Sequence, residues 1–209
     1  RQLPACLVSF TSDRGRELFR QALDEGTADA YFTLAGCFAT QEEPAFCGLS
    51  TLSIALNALE VDPLRVWKGL WRWFSDDMLD CCRSLEDVRR NGITLSEFAC
   101  IARCNGLEET TVFADESASL EQFERDIQRV CSGKGEIFTI SYSRSVLQQT
   151  GSGHFSPVGA YCASERMVLV LDVARFKYPI YWVPLELLWD SLKPADPATG
   201  KSRGYSILT

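Results

Sequence analysis

The chain of 209 residues has one histidine, His154, and that scarcity is restrictive. A zinc site of two cysteines and two histidines cannot be assembled, and any histidine-dependent catalysis must use His154. No stretch of about 18 consecutive apolar residues exists, so nothing reads as a membrane-spanning helix and no membrane partner is expected. Runs of Lys or Arg are missing, and 21 basic residues stand against 28 acidic ones for a formal charge of −7. Such a field repels a phosphate backbone, so a nucleic-acid partner is not expected and any anionic ligand must be held by locally placed arginines. The start, Arg1-Gln2-Leu3-Pro4, lacks Met and a charged-then-apolar pattern, and reads as a trimmed or internal start rather than a secretory leader. Repeats, low-complexity tracts and long linkers are lacking too, which predicts one domain over residues 1–209.

What is present begins with 46% apolar residues, ample for a core. Nine cysteines are an odd number in a long chain without a leader, so the thiols are expected to be mostly reduced and the location cytoplasmic. Up to about residue 132 the pattern is helical. Leu18, Phe19, Ala22 and Leu23 share helix spacing within residues 13–23, and Leu49, Leu52, Leu56 and Leu59 form a second stripe. Thr94-Leu95-Ser96-Glu97 is a capping-box pattern opening a helix to about Gly106, and Ser119-Leu120-Glu121-Gln122 opens another toward Cys131. From about residue 133 the composition is strand-like, over 137–143, 155–162, 167–173, 181–183 and 205–208, with short connections that favour antiparallel pairing. The expected class is α+β: a helical lobe, then an antiparallel β lobe, with a site in the cleft between them.

Two segments carry chemistry. In Gln41-Glu42-Glu43-Pro44-Ala45-Phe46-Cys47-Gly48-Leu49, Pro44 enters a helix whose first turn holds Cys47, where the dipole and free amides favour the thiolate. Gln41, six residues upstream, is placed to join the Cys47 N–H in an oxyanion hole. A plain buried cysteine under a helix start is the competing reading. In Gly151-Ser152-Gly153-His154-Phe155-Ser156-Pro157, a glycine-rich approach brings His154 into a strand with room for a substrate backbone. A turn over 163–166 returns the chain along Val168-Leu169-Val170-Leu171 to Asp172, and an antiparallel hairpin brings Asp172 to the same end as His154. A carboxylate there holds the ring tautomer and stabilises the imidazolium. The order Cys47, His154, Asp172, with Gln41 before the cysteine, is the papain-type arrangement.

These residues, together with Trp67-Lys68-Gly69-Leu70-Trp71-Arg72-Trp73-Phe74, Met78-Leu79-Asp80-Cys81-Cys82 and Leu171-Asp172-Val173-Ala174-Arg175-Phe176-Lys177-Tyr178-Pro179, give a chain that resembles the phytochelatin synthases. These are the glutathione γ-glutamylcysteinyltransferases of the papain-like cysteine peptidase clan. The resemblance covers nearly the whole chain and implies a papain-like fold with Cys47, His154 and Asp172 as the triad and Gln41 at the oxyanion hole. It implies γ-glutamylcysteinyl transfer from glutathione through a Cys47 thioester, with glycine released and phytochelatins made for heavy-metal detoxification. A relative that hydrolyses glutathione or its S-conjugates with little transfer is the alternative. By the family's pattern Arg144, Asp196 and Arg203 line the donor pocket, Asp196 toward the γ-glutamyl ammonium and the arginines toward its α-carboxylate, with Ser141 adding a hydrogen bond. Arg175 is a further candidate for substrate or structural anchoring.

The resemblance also implies activation by thiophilic ions, Cd²⁺ and Zn²⁺, acting as glutathione thiolates, and no organic cofactor. The expected partners are glutathione, phytochelatins and heavy-metal ions, with a homodimer left open. Cys81, Cys82, Cys100 and Cys104 are the candidate metal ligands, the last two being i, i+4 on one helix face. Neither spacing matches a closed zinc site, and packing in the core is the reading placed ahead of metal sensing.

Overall fold

The computed structural model describes residues 1–209. Seven strands form one sheet: β1 (Val8–Ser9), β2 (Glu109–Phe113), β3 (Ile137–Ser143), β4 (Gly153–Cys162), β5 (Met167–Val170), β6 (Tyr181–Pro184) and β7 (Gly204–Leu208). Their spatial order is β1-β6-β5-β4-β3-β7-β2, and every pairing is antiparallel. The helices are α1 (Asp13–Asp24), α2 (Asp29–Cys37), α3 (Cys47–Ala58), α4 (Leu85–Asn91), α5 (Leu95–Cys104), α6 (Leu120–Cys131) and α7 (Leu185–Leu192), with a 3-10 turn over Asp76–Met78. The α+β class is as expected. No helix is long and apolar enough to cross a membrane.

Both faces of the sheet are covered, which its period dictates. Leu169 on β5 joins the core under α1, α3 and α5 with Leu18, Leu52 and Phe98, while its neighbours Val168 and Val170 join a second core under α6 and α7 with Phe123 and Trp189. Helix starts follow the capping residues read from sequence. Ser12, Thr94 and Ser119 each accept from a backbone N–H of the first turn, and Thr94 with Glu97 completes a reciprocal capping box. Each cap is worth about 1 kcal/mol.

The division of the chain at residue 132 needs correction. β1 and β2 come from the helical half, and β2 pairs in register with β7 through Glu109↔Leu208 to Phe113↔Gly204. α7 sits in the strand-rich half, packed against β3 and β6. The strand expected over 167–173 ends at Val170, so Asp172 lies just beyond it. β4 begins two residues earlier than expected and takes in His154. Gly159 marks an irregularity in the β4–β5 ladder between Val158 and Ala160. A Cβ there would sit 2.4 Å from Leu171 Cδ1, so only glycine lets the chain leaving β5 pass so close.

Candidate active site

Cys47 opens α3, and the helix start explains its chemistry. Phe46 at the N-cap supplies no side-chain acceptor, so the amides of the first turn stay free for a negatively charged group. The segment before it is fastened on two sides. Gln41 N–H and Thr40 Oγ1 both donate to Val173 O at 3.0 Å, beside Asp172, and Glu42 N–H donates to Asp76 Oδ2 at 3.2 Å. Asp76 also accepts from Ser53 Oγ of α3 at 3.0 Å, and burial pushes its carboxyl up to about 6. Nucleophile, entry segment and the end of the β5 chain are therefore one fixed unit.

His154 and Asp172 meet as the hairpin reading predicted. His154 Nε2 lies 2.9 Å from Asp172 Oδ1, which leaves Nδ1 for Cys47. The carboxylate is fully buried and accepts three further bonds, from Ala174 N–H at 2.9 Å and from both terminal nitrogens of Arg144 at 2.9 Å each. Burial pushes Asp172 up, but the charges and hydrogen bonds of His154 and Arg144 outweigh it and hold the carboxyl at about 2. Burial likewise pushes the Cys47 thiol up, and His154, the Phe155 N–H and Arg144 more than reverse this, so the thiol titrates below its ordinary value. For His154 burial favours the neutral ring, yet Asp172 and Cys47 raise its pKa overall. Both shifts favour the thiolate and the imidazolium over the neutral pair.

A cleft of about 510 Å³ opens in front of this pair. Cys47, His154, Gln41, Ser141, Arg144, Asp196 and Arg203 all line it, so the fold brings these sequence-predicted residues together. The detailed contacts of two of them differ from expectation, and those of Arg175 choose between its two expected roles. The Arg144 guanidinium grips Asp172 bidentately, bonds Gln149 Oε1 and lies over the Tyr178 ring, so it positions the triad rather than standing free for a substrate carboxylate. Gln41 Nε2 donates to Glu43 O at 2.8 Å and Pro44 O at 2.9 Å, which leaves the first-turn amides of α3 as the free oxyanion donors. Arg175 donates to Tyr178 O at 2.6 Å and lies outside the cleft lining, so its role is structural anchoring.

Arg203 is the contrasting case. It is 6% exposed, donates to Pro194 O at 2.9 Å and Ala195 O at 3.0 Å, and has no carboxylate within 4.0 Å. Burial lowers its pKa, and Asp196 only partly offsets that. Gly153 opens the space beside it, since a Cβ there would lie 3.1 Å from Arg203 Nη2. Asp196 sits in the tight turn that ends at Lys201, its Oδ1 accepting from Ala198 N–H. Ser141 is opposite Gly204 in the β3–β7 ladder, beside Arg203. Sequence reasoning missed the Arg144–Asp172 pair, and with it Gln149. It also missed the wall made by Arg90, Asn91, Gly92 and Ile93 at the end of α4 and just beyond it, in which no motif points to a site.

The candidate metal ligands also need correction. Cys82 and Cys100 form a disulfide, while the other seven cysteines are free. Cys81 and Cys104 are exposed, so core packing does not describe them. The pairing joins Cys100 to the segment before α4 rather than to Cys104 one turn along α5.

The chain is 50% identical over 208 residues to a glutathione gamma-glutamylcysteinyltransferase of Schizosaccharomyces pombe, covering 100% of this chain and 50% of the relative. It is 48% identical over 202 residues to glutathione gamma-glutamylcysteinyltransferase 3 of Lotus japonicus, covering 97% and 42%. It is 45% identical over 202 residues to glutathione gamma-glutamylcysteinyltransferase 1 of Arabidopsis thaliana, covering 97% and 41%. The chain therefore spans half or less of the length of these curated relatives. Among solved structures, a double glycine motif protease from an AMS/PCAT transporter aligns over 81% of this chain and 87% of its own, with 16% identity and a TM-score of 0.47. The sequence model described as phytochelatin synthase matches residues 1–205, and the chain belongs to the phytochelatin synthase family.

Proposed function

We propose that this chain transfers the γ-glutamylcysteinyl unit of glutathione to the α-amine of a second glutathione, or of a growing phytochelatin, through a thioester on Cys47. The observation that carries this reading is the meeting in one cleft of an activated thiol, a base oriented by a buried ion pair, and a buried arginine without a counter-ion. The Cys47 thiolate attacks the carbonyl carbon of the Cys–Gly peptide, and the oxyanion faces the free amides of the first turn of α3. Imidazolium His154 gives its proton to the glycine nitrogen as the C–N bond breaks, leaving the acyl group on Cys47 Sγ. The acceptor amine then attacks the thioester, neutral His154 takes its proton, and Cys47 departs as thiolate. Asp172 occupies Nε2 throughout, so Nδ1 faces the reacting atoms.

Donor recognition follows from charge. Arg203 takes the γ-glutamyl α-carboxylate, Asp196 its ammonium, and Ser141 adds a hydrogen bond. The favoured acceptor is the Cd²⁺ or Zn²⁺ thiolate of glutathione, so the metal enters as part of a substrate, and the product serves metal detoxification. We place the reaction in the cytoplasm, where free thiols persist.

The test is incubation with glutathione, with and without Cd²⁺, followed by mass spectrometry of protein and products. A γ-glutamylcysteinyl adduct on Cys47, free glycine and peptides longer by γ-Glu-Cys are expected. γ-Glutamylcysteine without longer peptides would refute transfer in favour of hydrolysis, and absence of both adduct and glycine would refute any acyl chemistry at Cys47.

A further inference from the structure

Two acidic side chains are buried, Asp172 and Asp76, and they are partnered in opposite ways. Asp172 meets His154 and Arg144, whereas no cation lies within 4.0 Å of Asp76. The arginines of the surrounding segments, Arg65, Arg72 and Arg83, pair with Asp80, Asp62 and Glu97 instead. Of the elements packed against Asp76, α3 carries no acidic or basic residue, the entry segment presents Glu42, and the 3-10 turn itself presents Asp77. Both charges near Asp76 are therefore of its own sign. The turn is also held in place, because Asn57 of α3 exchanges two bonds of 2.9 Å with the backbone of Phe74.

The hydrogen bonds around Asp76 count protons. Ser53 Oγ lies 3.0 Å from Asp76 Oδ1 and 3.0 Å from Ser50 O, yet its hydroxyl has one proton to give. With Asp76 as the acid, the Asp76–Ser53 bond runs the other way: Oδ1–H donates to Ser53 Oγ, and Ser53 O–H donates to Ser50 O. Oδ2 still accepts from Glu42 N–H at 3.2 Å, so every polar group in the series is used. An ionised Asp76 takes the Ser53 proton from Ser50 O and holds a buried charge beside Glu42 and Asp77.

We propose that Asp76 is a positioning residue that latches the Gln41–Glu42 segment to α3 beside Cys47, and that it latches as the neutral acid. Gln41, Pro44 and Ala45 of this segment line the cleft and lead into Cys47, so slack at Glu42 is slack in the cleft wall and at the start of α3. Burial raises the Asp76 carboxyl to about 6, with Glu42 and Asp77 adding to the rise and the bonds from Glu42 N–H and Ser53 opposing it. Once the segment opens and water reaches the carboxyl, its ordinary value of 3.8 returns. Latching is therefore strongest below 3.8 and loses roughly a hundredfold of its equilibrium constant as pH rises through about 6. The inference concerns the free chain and does not depend on the transfer reaction.

The test compares the full chain with Asp76→Asn and Asp76→Ala. The asparagine keeps a donor toward Ser53 and an acceptor toward Glu42 N–H, and it cannot ionise. Backbone amide exchange at Glu42, followed by NMR from about pH 4 to 8 and corrected for the intrinsic rate, reads the latch. Protection in the parent should fall roughly a hundredfold through about pH 6 and stay flat in Asp76→Asn. Asp77→Asn, which alters only the exposed neighbour, should keep a parental slope. In Asp76→Ala the Glu42 amide should lose protection at every pH, and the pH at which iodoacetamide modifies Cys47 should rise. Asp76→Asn should restore the parental Cys47 profile, which a merely space-filling residue would not move. A flat parental profile, a parental slope in Asp76→Asn, or parental protection of Glu42 in Asp76→Ala would overturn the proposal. The parent and Asp76→Asn decide the matter even if Asp76→Ala fails to fold.

Discussion

Arg144 and Arg203 reach one cleft from neighbouring parts of the sheet, just past the end of β3 and just before β7, and end in opposite electrostatic conditions. Arg144 is clamped to a buried carboxylate through two bonds of 2.9 Å, whereas Arg203 is held by two backbone carbonyls and meets no carboxylate. Both are nearly excluded from water, at 2% and 6% exposure, so the difference is one of partner and not of burial. A neutralised guanidinium in a protein interior is part of the scaffold, and here it fixes the aspartate that orients the base. A guanidinium desolvated without a counter-ion is costly in the free protein and is compensated when an anion arrives. The two sides of the cleft therefore differ: the Arg144 side is completed by the protein's own carboxylate, while the Arg203 guanidinium has only backbone carbonyls as hydrogen-bond acceptors.

The largest expected effect tests the first half of this contrast. Arg144→Met leaves the Asp172 carboxylate buried with only the imidazole and backbone as partners, and should cost about 3–5 kcal/mol. For a chain of this size that is a fall in Tm on the order of 10 °C. Thermal melts should reveal it, together with a loss of kcat as His154 loses its fixed partner; an unchanged Tm would show that the pair is not structural.

Next comes the second half. Arg203→Met removes a cation with no carboxylate in hydrogen-bond reach, so Tm should move little, while KM for glutathione rises roughly tenfold to a hundredfold, the worth of a charged hydrogen-bonded contact. Steady-state kinetics on glycine release separate the two variants. A fall in kcat at constant KM for Arg203→Met would abolish the distinction between the arginines.

Acid titration sharpens the comparison further. The folded pKa of Asp172 lies at about 2, below its ordinary 3.8, so its stabilising contribution is complete above 3.8 and is lost as pH falls through about 2. The Cys47 pKa is lowered and that of His154 raised, each shift favouring the ion pair. It is lost to thiolate protonation on the acid side and to imidazole deprotonation on the alkaline side. Iodoacetamide should therefore modify Cys47 at pH values where an ordinary thiol is inert. Asp172→Asn should raise the pH at which that reactivity appears, and identical profiles would contradict the role given to the carboxylate. The smallest effect is expected at Ser141→Ala, which removes one neutral hydrogen bond on the Arg203 side and should raise KM by no more than about fivefold, near 1 kcal/mol.

Much of the site was legible because local signals agreed with its chemistry. Ser12, Thr94 and Ser119 mark helix starts through their own side chains, and the observed helices begin one residue after each. The turn over 163–166 folds β4 onto β5, and that geometry alone places Asp172 near His154. The misreadings occur where no local signal exists. β2 is half-exposed and lies among helices, and it becomes a strand because β7 offers a free edge. α7 follows β6 directly, with Pro184 at the boundary and apolar residues that suit either structure. Gln41 was read from its spacing to Cys47, and the same spacing allows its amide to turn back onto Glu43 and Pro44.

The sequence by itself determined the cast: one histidine, a cysteine at a helix start, an aspartate returned by a hairpin, and capping residues that set the helix starts. Only the tertiary structure decided which arginine is paired with a carboxylate and which with backbone carbonyls alone, and that Cys100 pairs with Cys82 rather than with a neighbour on its own helix. The physical reason is range. Caps and turns act over three or four residues, where spacing is fixed by the backbone. Charge pairing and sulfur bonding depend on separations of a few ångströms between residues 28 and 18 positions apart, which chain packing alone establishes.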